Sequence, residues 1–461
     1  MTAPLDTVLA RADANLPSSL DTLFGLLRIP SVSTDPAHAG DCREAAGALA
    51  AYLETLGLAA TVRETAGHPV VLARLDGPEG APHVLFYGHY DVQPVDPLAL
   101  WTRDPFDPAI LTEASGRKII AARGASDDKG QLMTFVEALR AWREAAGGLP
   151  IGVTLLLEGE EECGSVSLPA FLEENKAELQ ADFAVICDTG MWDAETPSIT
   201  TSLRGLVGEE VVIRAADRDL HSGGFGGAAA NPLHILSAIL ADLRNADGRI
   251  TLPGFYDGVE EVPEELKAQW AALSEGRDPL GAVGLSQLSG EVGRSHLELV
   301  WARPTAEVNG IAGGYAGAGF KTVIPAEATA KVSFRLVGHQ DPEKIRAAFR
   351  AHVRDRLPAD CSASFADHGG AIAVQMPWDW PVYDGVKAAL AQEWPQPPVL
   401  VGGGGSIPIV ADFRATLGLD SLMVGFSLGD DRVHSPNEKY NLGSFEGGIR
   451  SWVRIIAALA E

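Results

Sequence analysis

Short apolar, β-branched runs alternate with helical stretches between residues 69 and 188, and no other feature restricts the fold as much. PVVLARL (69–75), VLFY (84–87), IGVTLLLEG (151–159) and DFAVICD (182–188) have the length and composition of buried strands. Between them, 130–146 spaces Leu132, Phe135, Val136, Leu139 and Trp142 as one helical face, and 168–179 reads as another helix. Strands this apolar need cover on both sides. An α/β fold is therefore expected, a mixed sheet sandwiched by helices.

The texture changes near Gly205. VGEEVVIRA (207–215) alternates as a half-exposed strand does, 231–243 is a helix with a proline in its first turn, and 254–293 is polar and acidic. TAEVNGI and ATAKVSFRLV read as exposed-sheet strands, and 341–356 as a second helix. Strands with two helices on one face make a separate α+β module. Beyond Met376 the apolar texture returns, with strands near 398–401 and 421–424, a GGGGS turn (402–406) between packed elements and a closing helix at 444–459. The expected organisation is a discontinuous main domain, 1–204 plus 377–461, with 205–376 inserted into it.

The formal charge of −26 would repel phosphate backbones and anionic lipid, so neither nucleic acid nor a membrane surface is an expected partner. The first thirty residues are amphipathic and lack the basic start of a signal peptide. No run reaches the roughly 20 apolar residues of a membrane span. Four scattered cysteines (Cys42, Cys163, Cys187, Cys361) without CxxC spacing suit reduced thiols, which makes the cytoplasm the expected compartment.

Polar residues gather where the strands end. His89 and Asp91 follow VLFYG two residues apart, so the Asp91 carboxylate can hold one imidazole nitrogen and leave the other for a metal. RGASDDKGQ (123–131) sets Asp127 at a helix start, where capping would account for one aspartate of the pair but not both. Glu158, Glu160, Glu161 and Glu162 crowd into EGEEECGS (158–165). Such runs are usually solvated loops, yet this one follows a buried strand, where carboxylates raise one another's pKa unless a cation neutralises them. Asp188 ends the next strand, and His434 lies in a polar loop, GDDRVHSPNEK (429–439). Imidazoles and carboxylates without thiolates suit a pair of divalent ions such as zinc, manganese or cobalt.

GHYDVQP, RGASDDKGQ, EGEEECGS, ICDTG, DLHSG, SFRLV, GGGGSIP and VHSPNEK occur in this order along nearly the whole chain. Together they resemble the binuclear metallopeptidases of the M20 family, most closely its dipeptidase branch with the cytosolic carnosinase-like enzymes. The resemblance implies that His89 and Asp188 are terminal ligands of one ion, Glu162 and His434 of the other, and that Asp127 bridges them. It also implies a cis Asp127–Asp128 peptide, Asp91 as the residue orienting His89, and Glu161 as general base on a metal-bridging water. The inserted module becomes a lid and dimerisation domain. From it His221 would reach the partner's active site and stabilise the oxyanion, and Arg335 would hold the substrate carboxylate, with His368, Ser406 and Asn309 as further substrate contacts. Without the resemblance, His221 is a loop histidine at a glycine turn and Arg335 a solvated strand residue.

The implied activity is hydrolysis of dipeptides or short peptides by a homodimer holding two divalent ions, zinc foremost. An N-acyl-amino-acid deacylase of the acetylornithine or succinyl-diaminopimelate type is the alternative within the family; Asp188 and the DDKG sequence favour the dipeptidase. A non-catalytic metal-dependent binding protein is the alternative outside the enzymes. Glu161 argues against that, because a binder has no use for a base. His89 must in either enzyme lie within bonding reach of a site shared with Asp127 and Asp188.

Overall fold

Parallel strands bring their carboxyl ends to one edge of a sheet, and the central strands of this protein are parallel. His83–His89 lies between Gly152–Glu158 and Phe183–Ile186, with Ser421–Met423 beyond the latter, all in one direction. Val70–Leu75 and Ala59–Arg63 extend the sheet on the other side as antiparallel strands. The computed structural model that gives this order describes residues 4–405 and 407–461. Gly152–Glu158 is buried throughout and His83–His89 is buried after its first residue, so both sheet faces are covered.

Adjacent strand residues face opposite sides, and Phe86 and Tyr87 show what covers each. Phe86 stacks on Phe135 of the Lys129–Ala146 helix with 3.8 Å between ring centroids. Trp452 of the closing helix, Leu442–Leu459, meets Phe135 edge-on at 5.2 Å. The Leu5–Leu27 helix packs on both of these helices and buries Val8, Leu9, Ala12, Leu23 and Leu27. On the other face the Tyr87 ring meets Phe413 edge-on at 5.8 Å, and its hydroxyl donates to Glu158 at 2.6 Å. The Ala39–Thr55 helix covers Ala59–Arg63 and Val70–Leu75. Among the described residues no helix is long and apolar enough to cross a membrane.

The chain divides into two compact units, one of Met1–Thr201, Met376–Val401 and Asp412–Glu461, the other of Ser202–Gln375 and Gly402–Ala411. The glycine-rich segment thus groups with the second unit. That unit has an antiparallel sheet in the order Thr305–Gly313, Glu327–Leu336, Gly205–Arg214, Ser362–Ala371. Gly205–Arg214 alternates buried and half-buried positions, the pattern of a sheet covered on one side. Its covered face meets the Pro232–Ala241 and Pro342–Arg354 helices around Val207, Val211, Leu236, Phe334 and Phe349. Both helices start with proline after a capping side chain: Asn231 accepts from Leu233 N at 3.0 Å, and Asp341 from Glu343 N at 2.9 Å.

Three elements differ from the sequence expectation. The polar 254–293 stretch contains a helix, Glu264–Ser274, whose Leu266 and Trp270 are buried although most of its residues are polar or small. The helix expected over 168–179 ends at Glu174. A small antiparallel sheet of Ala109–Thr112, Lys118–Ala121 and Lys439–Asn441 was not anticipated, because strands of three or four residues are too short to show a period.

Candidate metal centre

The edge where the parallel strands end carries the expected donors, each delivered by a different segment of the first unit. His89 is the last residue of its strand, in register with Glu158, and Glu161 and Glu162 follow in a short 3₁₀ turn, Glu161–Cys163. Asp188 comes two residues after the Phe183–Ile186 strand, and Asp127 lies just before the Lys129–Ala146 helix. The Asp127–Asp128 peptide is cis. His89, Asp127 and Asp188 each offer an atom within 4.8 Å of the others, and Asp127, Glu162 and His434 do the same.

Asp127 belongs to both groups through different oxygens. Its Oδ1 is 3.0 Å from His89 Nε2, and its Oδ2 is 2.8 Å from His434 Nε2. His434 Nε2 is also 3.2 Å from Glu162 Oε2, which accepts a hydrogen bond from Gln93 at 2.6 Å. One carboxylate with an oxygen in each of two donor groups is what two adjacent ions require.

The electrostatics point the same way. Burial, with the Asp127 and Asp128 charges, pushes Asp188 well above the usual carboxylate range. Burial also raises Glu161, and takes Asp128 to about 7 and Glu158 to about 8. Hydrogen bonds to Asp127 and Glu162 hold His434 up at about 10. Burial opposes charge on His89, but Asp127 and Asp91 raise it well above its ordinary value, and Asp127 itself is lowered by the two imidazoles despite its burial. Two imidazolium groups thus serve as counter-cations to crowded carboxyls. Oxygen and nitrogen donors of this kind fit borderline or hard divalent ions. Cys163 and Cys187 are in neither donor group, and the Cys187 thiol lies 3.5 Å from the Asp128 carboxylate.

Asp91 holds more than His89. Its carboxylate is 3.4 Å from His89 Nδ1, and the nearer partner of that nitrogen is the Asp91 carbonyl oxygen at 3.2 Å. The carboxylate accepts from the backbone of Glu161 at 3.3 Å and of Glu162 at 3.0 Å, so it fastens the acidic turn to the His89 strand. Glu160 braces the same turn by accepting from His68 N and Ser167 N, each at 2.9 Å. Asp128 caps nothing with its side chain; it accepts from His89 N at 3.1 Å. Sequence reasoning missed Gln93, Asp128 and Glu438 as partners of this site. Glu438 lies within VHSPNEK, but the strand that follows it, Lys439–Asn441, is too short to mark it in the sequence.

The other expected residues belong to the second unit. His221 is exposed, and its Nδ1 accepts from Gly223 N at 2.9 Å, which leaves the proton of a neutral ring on Nε2. Arg335 is half-buried in the Glu327–Leu336 strand, and its charge, after burial, helps push the neighbouring Arg204 down to about 10. His368 is half-exposed, 3.3 Å from Glu210. Asn309 is exposed at a bulge between Val308 and Gly310. Ser406 lies outside the described residues.

Two imidazole–carboxylate donor groups sharing one aspartate, at the carboxyl edge of a parallel sheet, define the class of a divalent-metal hydrolase. The chain belongs to peptidase family M20/M25/M40, whose family model matches residues 85–458. It is 30% identical to the Cys-Gly metallodipeptidase dug1 of Schizosaccharomyces pombe, over 100% of this chain and 99% of that one. Its fold matches human carnosine dipeptidase 1 with a TM-score of 0.75 and 28% identity, covering 99% of both chains. It matches the metallo-carboxypeptidase Sso-CP2 of Sulfolobus solfataricus at 0.78 and 31%, over 96% of this chain and 99% of that one.

A metal can bind only after these imidazoles lose their protons. His434, held at about 10, is protonated at neutral pH in metal-free protein, and its ion pairs stabilise that form fully below the unfolded value of about 6.5. The stabilisation is lost as pH rises through about 10. Zinc titrated calorimetrically into metal-free protein should therefore release protons, and its affinity should rise from pH 6 to pH 8 by about tenfold per unit for each proton displaced. A pH-independent affinity without proton release would contradict this account.

Proposed function

We propose that the protein is a metal-dependent dipeptidase whose ions are held by His89 and Asp188, by Glu162 and His434, and by Asp127 between them. The observation that carries this is the division of the two Asp127 oxygens between His89 and His434. Divalent ions, for which we propose zinc with manganese and cobalt as the competitors, would supply Lewis acidity and an acidified water.

Glu161 is the general base. It stands half-buried in the 3₁₀ turn beside the donors, and its raised pKa suits a group that takes a proton and returns it. It accepts the proton of the attacking water and delivers it to the leaving amine. Asp91 keeps the Glu161 backbone and the His89 ring in fixed relation. Arg335, with Arg204 as a second guanidinium near it, would bind the free carboxylate of a short peptide, and His368, Asn309 and Ser406 would complete the substrate contacts. The names of the yeast and human relatives specify dipeptides, which is the size this anchoring favours. The likeness to a carboxypeptidase keeps longer peptides as the second reading.

His221 acts, in this proposal, on the active site of a second copy, where Nε2–H would donate to the oxyanion. A homodimer is supported by the Thr305–Gly313 strand, which is the edge of its sheet and exposes Val308 and Ile311. The main domain would be the catalytic one and the inserted module the lid and dimerisation domain. We place the enzyme in the cytoplasm, on the ground that Cys42, Cys163, Cys187 and Cys361 are all free thiols.

Metal-depleted protein, reloaded with zinc, manganese or cobalt, should hydrolyse dipeptides such as Cys-Gly and β-Ala-His ahead of tripeptides, N-acetyl and N-succinyl amino acids. Turnover of the acyl compounds alone would establish the deacylase instead. Glu161→Ala should fold and bind metal but lose about three or more decades of kcat; near-normal turnover would remove Glu161 from the mechanism. Mixing Glu161→Ala with His221→Ala should restore about a quarter of wild-type activity, since half the dimers would be mixed and each would hold one intact site. No recovery in demonstrably mixed dimers would place His221 outside the partner's site.

A further inference from the structure

Glu438 is in neither donor group, yet it ties together the two loops that carry Asp127 and His434. Its side chain is fully buried. Oε1 accepts from the backbone N–H of Ser126 at 2.9 Å and of Asp127 at 3.1 Å. Oε2 accepts from Gly124 N at 3.0 Å and from the Arg123 guanidinium at 2.7 Å. Four donors on one carboxylate, one of them charged, is a strong and directional anchor.

The position of Glu438 in the chain gives the anchor its meaning. Lys439, the next residue, pairs with Ala121 in the small sheet, which brings the segment after His434 alongside the segment before Asp127. From the same loop Asp431 accepts from Ser126 Oγ at 2.9 Å and from Leu428 N at 2.7 Å. Between Asp431 and Glu438 the backbone turns through left-handed conformations at Arg432 (φ 58°), His434 (φ 60°) and Asn437 (φ 63°). Non-glycine residues are disfavoured at such angles, so the loop keeps this shape because both of its ends are tied. His89 and Asp188, by contrast, are placed by the large sheet.

We propose that Glu438 is a positioning residue that sets the Asp127 carboxylate against His434, and thereby governs affinity for the ion held by Asp127, Glu162 and His434 more than for the ion held by His89, Asp127 and Asp188. It rests on the metal assignment above. Glu438→Gln turns one acceptor oxygen into an N–H donor facing donors, while keeping the side-chain volume. Glu438→Asp keeps both acceptors but draws them back by one methylene.

Zinc stoichiometry and affinity of the metal-free proteins, measured by calorimetry and by elemental analysis after dialysis, test this. Glu438→Gln should weaken one of two ions about 10- to 100-fold, the same ion that His434→Asn removes, and leave the other within about threefold. Glu438→Asp should fall between it and wild type, and serves alone if the glutamine variant does not fold. Glu137→Gln is the control. Glu137 is as buried and accepts from Ser19, Tyr52 and Arg140, so its loss should lower thermal stability without touching either metal affinity. If a folded Glu438 variant binds both ions as wild type does, or loses both equally, the positioning role is overturned. Failure of the wild type to bind two ions would instead overturn the metal assignment.

Discussion

Repulsion among carboxylates is the constraint on which this architecture turns. Asp127, Glu161, Glu162 and Asp188 converge at one sheet edge, with Asp128 and Glu158 buried close behind. At an effective dielectric of about 20, two unit charges 4 Å apart interact by about 4 kcal/mol, which is comparable to a large part of a protein's net stability. Several such pairs stay ionised together only with cations among them. His89 and His434 fill that place when protonated, and the donor geometry passes it to divalent ions once they are neutral.

The scaffold meets the same problem with backbone amides. Asp91 accepts from Glu161 and Glu162, Glu160 from His68 and Ser167, Asp128 from His89, and Glu438 from Gly124, Ser126 and Asp127. Each bond neutralises part of a buried charge, and those of Asp91, Asp128 and Glu438 also join two segments that carry donor residues. The acids outside the donor groups therefore help decide where the donor acids stand. Underneath, the Phe86–Phe135–Trp452 packing fixes the sheet to its helices, so these loops rise from a rigid edge.

In the proposed function, substrate choice falls to residues outside the donor groups. The metal donors all belong to the first unit, while Arg335, Arg204, His221, His368 and Asn309 belong to the second. Similarity of comparable strength to a dipeptidase and to a carboxypeptidase fits that separation, because a common hydrolytic centre serves any peptide whose carboxylate is anchored at the right distance.

The amino-acid sequence by itself determined the alternation of buried strands and helices, the one-sided sheet of the inserted module, and the donors at strand ends. Those features are local: a strand's burial shows in its period and a ligand at its end shows by adjacency, as with His89 after VLFYG. Only the tertiary structure decided that Asp127 divides its oxygens between two imidazoles, that Asp91 fastens the acidic turn, and that Glu438 reaches the Asp127 loop across a separation of 311 residues. A carboxylate that accepts backbone N–H bonds leaves no periodic trace, since its partners contribute amides that every non-proline residue has. The small sheet that pairs Lys439 with Ala121 is too short to announce itself, and without it nothing in the sequence brings Glu438 to Asp127.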